Sequence, residues 1–400
     1  MKTLTIKNFG PIKDIEIEIK KLTILIGSQG SGKSIVAKLV AIFNDIDLFG
    51  KTDLKSYLKV YNIDFPITQD TYIKYQSENY FYEFTNNQLK DHFSVEENTL
   101  STEEMVKSIF ECNAEILFDA IREEDLSFND LVVYAFLKNT KPANKLSNDF
   151  NSKVLSLYRK IKLKKHLSNC LYIPSERNLF ALVNENIYKW IDKISLPKCI
   201  IKFGDLYMEA TKAYQQNDVV KIPFIDSLSF VKGEAFDEII FHEATTKLSE
   251  GSSGFQSSIP LALVCIRNSK NKQNQFIIEE PEQNLYPQTQ YKLVKFLAES
   301  CLQNENSLLI ATHSPYILSS FSNLMQAHNA SLRNTTKTSR IIEKKYWIDF
   351  NSVQAYYLND GVCKHILNDE NHIIDANHID DVSFELDREY SKLLDIELGR

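Results

Sequence analysis

The stretch Leu22–Val40, LTILIGSQGSGKSIVAKLV, decides the fold of this chain. It begins with a short apolar run that predicts a strand buried on both faces. The residues GSQGSGKS at 27–34 fit the pattern G-x-x-x-x-G-K-[ST], and apolar residues at three-to-four spacing then predict a helix. A strand, a glycine-rich loop and a helix in this order are what a phosphate-binding P-loop requires. We therefore predict an α/β fold built around this loop.

The residue types of the P-loop (27–34) suit a triphosphate. Gly27, Gly30 and Gly32 would let the backbone curl so that its N–H groups point at phosphate oxygens, and the helix start adds partial positive charge. Lys33 would reach the β- and γ-phosphates, and the Ser34 hydroxyl would ligate Mg²⁺. A glycine-rich loop that matches the pattern by chance is the alternative. The candidate nucleotide contacts are Gly27, Ser28, Gln29, Gly30, Ser31, Gly32, Lys33, Ser34 and Ile35.

Composition limits the class of protein. The 400 residues are 43% hydrophobic and 25% charged, which is typical of a globular protein of two or three domains. A net charge of −7 argues against a general nucleic-acid coat but leaves a local basic groove open. Six scattered cysteines predict free thiols in a reducing compartment. Because MKTLTIKNFG leads directly into a strand pattern and no apolar run approaches a membrane span, we expect a cytoplasmic protein without a signal peptide or membrane partner.

The N-terminal residues carry a family resemblance. The pattern TLTIKNFGPIKD, followed by LTILIGSQGSGKS, resembles the N-terminus of ABC-type ATPases of the RecF, SMC and OLD-like group. The resemblance covers roughly residues 1–320 and implies ATP and Mg²⁺ as ligands. It also implies that Asn8 and Phe9 lie close to the nucleotide base. An ordinary edge strand is the alternative interpretation of these two residues.

Three later motifs extend this resemblance in the expected order. Ser252, Ser253 and Gly254 resemble the ABC signature loop, which in the family caps the γ-phosphate held by the other subunit; here Ser253 replaces a glycine. FIIEEP at 276–281 resembles the Walker B segment, and ATHSP at 311–315 the segment that carries the switch histidine.

The resemblance implies a role for each charged residue of these motifs. Glu279 would hold Mg²⁺, which prefers oxygen ligands, and Glu280 would orient the attacking water. His313 would contact the γ-phosphate, and the segment 282–287 (EQNLYP) resembles the D-loop that crosses to the partner subunit. The predicted catalytic residues are thus Glu280, His313 and Lys33, and the predicted metal ligands are Ser34 and Glu279.

A further segment, YIPSERN at 172–178, follows a predicted short strand. By position it takes the place of the ABC Q-loop, although it contains no glutamine. A structural ion pair between Glu176 and Arg177 is the alternative.

The chain divides into four predicted parts. Residues 1–100 would form the first part of the nucleotide-binding domain with a β side subdomain, 101–245 a mainly helical lobe, 246–320 the rest of the nucleotide-binding domain, and 321–400 a small C-terminal α+β extension. In the first part, two aromatic runs predict a hairpin at 71–84, with a nucleic-acid stacking platform as the alternative. The basic residues at 153–165 predict either a solvated face or a contact with nucleic acid or an acidic partner. YWIDF at 346–350 and VQAYYLNDGVCKHIL at 353–367 predict strands, and an acidic helix is predicted at 380–398.

The resemblance implies Mg²⁺-dependent ATP hydrolysis in a head-to-tail homodimer or larger homo-oligomer that acts as a switch. ATPases of this type resemble the stand-alone sensor subunits of bacterial anti-phage systems, which work beside a separate effector, a nuclease or a toxin. Two alternatives stay open. One is a RecF-like repair ATPase that binds DNA directly, with DNA or RNA as partner. The other is a non-catalytic scaffold that ATP holds together.

Overall fold

The computed structural model describes residues 2–45, 48, 53–93, 157–158, 161, 163, 166–182, 196–234, 236–375 and 381–398. The helical prediction for 101–156 and the basic residues at 153–165 lie outside the described residues.

The described chain alternates strands and helices. The strands are β1 (Lys2–Phe9), β2 (Ile12–Ile19), β3 (Leu22–Gly27), β4 (Tyr72–Gln76), β5 (Tyr80–Thr85), β6 (Gln88–Phe93), β7 (Asn169–Ile173), β8 (Val219–Lys221), β9 (Leu228–Val231), β10 (Glu238–Phe241), β11 (Ala244–Lys247), β12 (Asn274–Glu279), β13 (Ser307–Thr312), β14 (Val353–Asn359), β15 (Val362–His365), β16 (Leu367–Asn368) and β17 (Ile373–Ile374). The helices are α1 (Lys33–Phe43), α2 (Lys55–Val60), α3 (Leu179–Leu182), α4 (Lys198–Lys212), α5 (Ser253–Asn268), α6 (Pro287–Cys301), α7 (Pro315–Ser339) and α8 (Asp381–Glu397).

An eleven-stranded mixed sheet forms the centre of the fold. Its order is β6-β5-β4-β1-β2-β15-β14-β3-β13-β12-β7. The five strands from β14 to β7 run parallel, and the strands from β6 to β2 form an antiparallel wing. In the parallel part, Ile24 of the P-loop strand lies opposite Ile310 on one side and Ala355 on the other. This is the predicted α/β P-loop fold.

Helices cover both faces of the parallel strands. Leu25 and Leu309 belong to the core beneath α1 and α2, whereas Ile24 and Ile310 belong to the core beneath α4, α5, α6 and α7. Because alternate residues of each strand are buried on opposite faces, these strands read as continuous apolar runs in the sequence. The parallel strand ends are therefore fixed between two layers of helices.

The predicted aromatic hairpin is confirmed as β4 and β5, which pair antiparallel with Lys74 opposite Glu83. Its rings pack inward: Phe43 of α1 stacks on Tyr75 and on Tyr82 at centroid distances of 5.5 Å each. Both tyrosines are fully buried. These two rings therefore attach α1 to the sheet and are not available to stack on nucleic-acid bases.

Two segments differ from what their local patterns predict. Residues 219–245, placed by the sequence in a mainly helical lobe, form together with 246 and 247 a four-stranded antiparallel sheet in the order β11-β10-β9-β8. Its strands have three or four residues, too few to show alternation in the sequence, and its β10–β11 turn places His242 and Glu243 at positive φ without the glycine that usually marks such a turn. The predicted strand at 346–350 does not form: its first residue ends the 3₁₀ turn Lys344–Tyr346, its last begins the 3₁₀ turn Phe350–Ser352, and 347–349 are irregular.

Strands from the four predicted parts of the chain meet in one sheet. In particular, β14 and β15, from the predicted C-terminal extension, join the parallel half of the sheet to its antiparallel wing. The division into four parts stays a prediction. The acidic segment near the C-terminus forms α8, as predicted. Across the described residues, none of the helices has the length and apolarity that crossing a bilayer requires.

Candidate functional site

Three neighbouring parallel strands end at the same edge of the sheet and bring the sequence motifs together. The P-loop follows β3, His313 follows β13 and Glu280 follows β12. Open α/β sheets bind ligands at this edge, beyond the carboxyl ends of the strands. Here the strand ends surround a cavity of about 580 Å³. Its walls are residues 29–35 at the P-loop and the start of α1, together with Glu279, Glu280, Ala311, His313, Pro11 and Phe65.

The P-loop is held in place by the C-terminal hairpin. A Cβ atom at Gly27 would lie 2.0 Å from the carbonyl oxygen of Leu358, so no larger residue fits there without moving β14. Beside it, the Ser28 hydroxyl donates to Oδ1 of Asn359 at 3.3 Å. Gly32, which precedes α1, has a φ of 101°, in the region that favours glycine. These contacts fix the curvature of the loop before any ligand binds.

Lys33 sits inside the P-loop. Its ammonium donates to the carbonyl oxygens of Gly27 at 2.9 Å and Ser28 at 2.8 Å, and to the Ser31 hydroxyl at 3.2 Å. Burial lowers the pKa of Lys33 to about 8, although Glu280, Glu282 and Glu279 counteract this by favouring the charged form. The side chain therefore stays mostly protonated at neutral pH. It is a buried cation whose three oxygen partners all belong to the P-loop itself.

Glu279 and Ser34 are suited to hold Mg²⁺. Oε1 of Glu279 is buried and has no hydrogen-bond partner. Burial raises the pKa of this carboxyl above its ordinary value, and the nearby Tyr172 hydroxyl, Lys38 ammonium and Ser34 hydroxyl offset part of that shift. A buried carboxylate oxygen without a partner costs free energy that a cation would recover. The described residues contain no group of three or more His, Cys, Asp or Glu that would hold a metal, so the remaining ligands would come from substrate and water.

Glu280 and His313 lie next to each other in the cavity wall. Oε1 of Glu280 lies 3.8 Å from Nε2 of His313, and both side chains are partly exposed, at 40% and 37%. Glu280 has a φ of 42°, an uncommon conformation for a residue other than glycine. Its N–H donates to the carbonyl of Ala311 at 2.7 Å, which fixes the end of β12 against β13. The backbone thus positions a partly exposed carboxylate at the cavity wall.

Glu282, in the D-loop segment (282–287), fixes the loop that carries His313. Its Oε1 accepts from the Thr312 hydroxyl at 2.7 Å and from the His313 N–H at 2.8 Å. One residue further on, the Ser314 hydroxyl donates to Oε1 of Gln290 at 2.5 Å and accepts from the N–H of Tyr316. The sequence showed the D-loop resemblance but gave no sign of this bond between Glu282 and the switch segment.

The signature loop (252–254) lies next to the D-loop segment and does not line the cavity. Ser252 caps α5 by accepting from the N–H of Phe255 at 3.4 Å, and Ser252 and Ser253 are exposed. A Cβ atom at Gly254 would lie 2.8 Å from the carbonyl oxygen of Asn284, so this position needs glycine. Within one chain, the structure therefore brings together the P-loop, Walker B and switch residues, but leaves the signature serines facing outward.

Arg177 is the residue whose role the sequence did not reveal. It is fully buried, whereas Glu176 is exposed, so the two do not form the alternative ion pair. The guanidinium donates to four main-chain carbonyls, those of Pro174 and Ser257 at 3.0 Å, Glu279 at 2.8 Å and Glu280 at 2.7 Å. The only signal in the sequence was its place directly after a core strand.

Pro11 and Phe65 form an apolar part of the cavity wall. Phe9, predicted to lie near the base, is fully buried and packs edge-on against Phe65 with centroids 5.7 Å apart. Asn8 has a φ of 50° and donates from Nδ2 to the carbonyl of Asp70 at 3.2 Å. Phe9 thus lies behind the wall, and Phe65 forms its surface.

The model of the family described as AAA ATPase domain matches residues 1–318. The curated proteins gave no match.

Several solved structures are similar over most of their length. An Smc head bound to the C-winged helix domain of ScpA is 11% identical, with 92% of this chain and 98% of that chain covered and a TM-score of 0.43. An SMC head domain from Thermotoga maritima is 12% identical, with coverages of 91% and 97% and a TM-score of 0.36. An Smc head domain with an extended coiled coil, bound to the C-terminal domain of ScpA derived from Pyrococcus furiosus, is 12% identical, with coverages of 92% and 96% and a TM-score of 0.37. Because the family model spans most of the sequence and all three strand-end motifs of the cavity, this chain belongs to the AAA ATPase domain family.

Proposed function

We propose that this chain hydrolyses ATP to ADP and phosphate with Mg²⁺ at the cavity between the P-loop and the carboxyl ends of β12 and β13. One observation carries the proposal. The Lys33 cation, the partnerless Glu279 oxygen and the Glu280–His313 pair all line this single cavity of about 580 Å³. These are the charges that phosphoryl transfer needs, since its protein catalysis rests on positioning and electrostatic stabilisation.

Phosphate binding would begin at the P-loop. The first N–H groups of α1 lack helical partners and point toward the cavity side of the loop, where they favour an anion. Lys33 would exchange its contacts with Gly27, Ser28 and Ser31 for oxygens of the β- and γ-phosphates. Pro11 and Phe65 would offer an apolar wall to the base.

The carboxylates would divide the remaining work. Glu279 and Ser34 would hold Mg²⁺, which when bound neutralises charge on the phosphates. Glu280, being partly exposed, would orient the attacking water, and His313 would donate to the γ-phosphate. Glu282 holds the backbone of His313 and would keep the imidazole directed at that position.

We further propose that two copies associate head to tail. The signature loop lies outside the cavity of its own chain and exposes Ser252 and Ser253, so a second copy is needed to bring these hydroxyls over a bound phosphate. Two exposed aromatic side chains support an interface. Tyr286, before α6, is 76% exposed and Tyr316, at the start of α7, is 52% exposed. Exposed tyrosines of this kind are enriched in protein interfaces.

In the finer proposal, ATP binding closes this dimer and hydrolysis releases it, so that the chain is a switch. The resemblance to stand-alone ATPase subunits of anti-phage systems supports a sensor role with a separate nuclease or toxin as effector. The partly exposed Glu280 argues against a non-catalytic scaffold, since a scaffold has no need of a water-orienting carboxylate.

The experiment for this proposal is to purify the tagged chain with the products of its neighbouring genes and to weigh the complex with and without ATP. Mg²⁺-dependent phosphate release together with a co-purified nuclease or toxin is the expected result. A lone chain whose hydrolysis is stimulated by duplex DNA would favour the RecF-like alternative. Bound ATP without phosphate release would contradict the catalytic proposal and favour a scaffold.

A further inference from the structure

We propose that Arg177 is a positioning residue that couples the signature loop to the carboxylate of Glu280, an inference that rests on the proposed ATP hydrolysis. In the head-to-tail pair, the signature loop of a chain would contact the phosphate bound by its partner. Arg177 would transmit that contact to Glu280 in the chain's own site. The two sites of the pair would thereby be linked.

The first argument is the geometry of the hydrogen bonds. Arg177 donates to carbonyls on three segments: Pro174 at the end of β7, Ser257 in α5, and Glu279 with Glu280 at the end of β12. The acceptors in α5 and β12 lie 80 and 102–103 positions away in the sequence. A guanidinium presents its five donors in one rigid plane. Its position therefore fixes α5 and the end of β12 relative to each other.

The second argument is the backbone conformation of Glu280. Glu280 is held at a φ of 42°, in the left-handed region that an L-residue rarely adopts. Three hydrogen bonds hold it there: its own N–H donates to Ala311, and its carbonyl accepts from Arg177 and from the N–H of Gln283. Loss of the Arg177 bond would let the peptide after Glu280 relax and move the carboxylate away from His313.

The third argument is the short path from α5 to the signature loop. Ser257, whose carbonyl Arg177 binds, lies one turn after Gly254 in the same helix. The Ser257 hydroxyl also donates to the carbonyl of Gln283 in the D-loop segment at 3.1 Å. A shift of this helix start on binding phosphate would therefore reach both Arg177 and the D-loop segment.

The fourth argument is charge. Within the described part of the chain, no carboxylate lies within ion-pair distance of the buried guanidinium. Burial lowers the pKa of Arg177 to about 10, while Glu282, Glu280 and Glu279 favour its charged form, so it stays a cation at neutral pH. A buried charge satisfied by carbonyls alone is costly to keep as a mere structural filler. Its charge lies close to the three glutamates, all of which favour its cationic form.

The test compares Arg177→Lys with the matched control Arg267→Lys, which makes the same change at an exposed position of α5. Lysine keeps the charge but cannot bind four carbonyls in one plane. We expect R177K to lower kcat about tenfold or more, with the Kd for ATP within about threefold of wild type. R267K should change neither kcat nor the Kd for ATP. A kcat for R177K within about twofold of wild type overturns the inference.

A double-mutant cycle with Ser253→Ala separates coupling from loss of stability. If Arg177 transmits the state of the signature loop, the losses in kcat for R177K and S253A should be strongly non-additive. Additive losses overturn the inference.

To cover the case in which R177K does not fold, hydrogen exchange is followed in Glu280→Gln, with and without Mg·ATP. Protection of 174–182 together with 252–258 is expected, whereas protection of 252–258 alone overturns the inference.

These measurements also separate this inference from the proposed function. If the wild-type chain hydrolyses ATP and E280Q does not, the proposed function stands whatever R177K does. If the wild-type chain shows no hydrolysis, the proposed function and the coupling inference fail together.

Discussion

The backbone N–H of His313 donates a hydrogen bond of 2.8 Å to Oε1 of Glu282. The same oxygen accepts from the Thr312 hydroxyl, so one carboxylate oxygen orders the segment between β13 and α7. Charge-assisted bonds to a backbone N–H are among the stronger hydrogen bonds in proteins. Glu282 is therefore expected to set where the His313 imidazole lies.

We predict that Glu282→Ala lowers kcat roughly tenfold while the Kd for ATP changes little, because Thr312 and His313 lose their shared acceptor while the P-loop keeps its own contacts. Glu282→Gln keeps an oxygen acceptor, so its kcat should fall less than that of E282A. Steady-state phosphate release and fluorescent-nucleotide binding measure the two effects. Glu299→Gln on the exposed side of α6 is the control. An unchanged kcat in E282A would show that Glu282 does not position the histidine.

The contact between Gly27 and β14 gives a second prediction. Gly27→Ala would force a Cβ atom to 2.0 Å from the Leu358 carbonyl, and backbone cannot move aside as a side chain can. We expect G27A to lose ATP binding and to lower the free energy of unfolding by about 2 kcal/mol or more. The matched variant is Gly30→Ala, since a Cβ there meets no atom within 4 Å. G30A should lower the free energy of unfolding by only about 1 kcal/mol, because alanine is strained at the φ of 77° that Gly30 adopts. Denaturant unfolding measures the stability of both variants. Equal losses of unfolding free energy in G27A and G30A would refute the contact.

The magnesium ligands give a third prediction. Glu279→Gln removes the buried, partnerless carboxylate oxygen, and should raise the Mg²⁺ concentration for half-maximal hydrolysis by roughly 10–100-fold. Ser34→Ala should shift the same midpoint in the same direction, because its hydroxyl is the second proposed ligand. A titration of Mg²⁺ at fixed ATP measures both. Tyr172→Phe serves as control at the same carboxylate. A midpoint unchanged in E279Q would exclude Glu279 as a ligand.

Phe65 and Phe9 give a fourth prediction, since they touch each other but only Phe65 lines the cavity. Phe65→Ala should weaken ATP binding several-fold and leave inorganic triphosphate binding nearly unchanged, because it removes the apolar wall for the base. Phe9→Ala should instead lower the free energy of unfolding by about 3–5 kcal/mol, as for a fully buried aromatic ring. If F65A binds ATP as well as the wild type does, the base lies elsewhere.

The sequence predicted the parts of the site that are local. The P-loop, the Glu279–Glu280 pair and His313 each follow directly after a buried strand, so a contiguous pattern of apolar residues locates them. Parallel pairing of β3, β13 and β12 then brings their ends together without further sequence information. The strand-loop-helix pattern was sufficient for this much of the fold.

The parts that the sequence did not predict depend on distant residues. Arg177 binds carbonyl oxygens, which every residue possesses, so no residue type in the sequence identifies its acceptors. Likewise β14 pairs with β3 across more than three hundred positions, and Phe65 is a single aromatic residue in a loop without periodicity. The strands β8–β11 were missed because three or four residues cannot show an alternating pattern.

The measurement that tests the central claim most directly uses Glu280→Gln with Mg·ATP, followed by phosphate release and by the molar mass in solution. Gln keeps the shape of the side chain but removes the charge that orients water. We predict that E280Q binds ATP, has the mass of two chains while ATP is present, and releases phosphate at least about a hundred times more slowly than the wild type. Hydrolysis at the wild-type rate would contradict the assignment of Glu280, and a monomer with bound ATP would contradict the shared site.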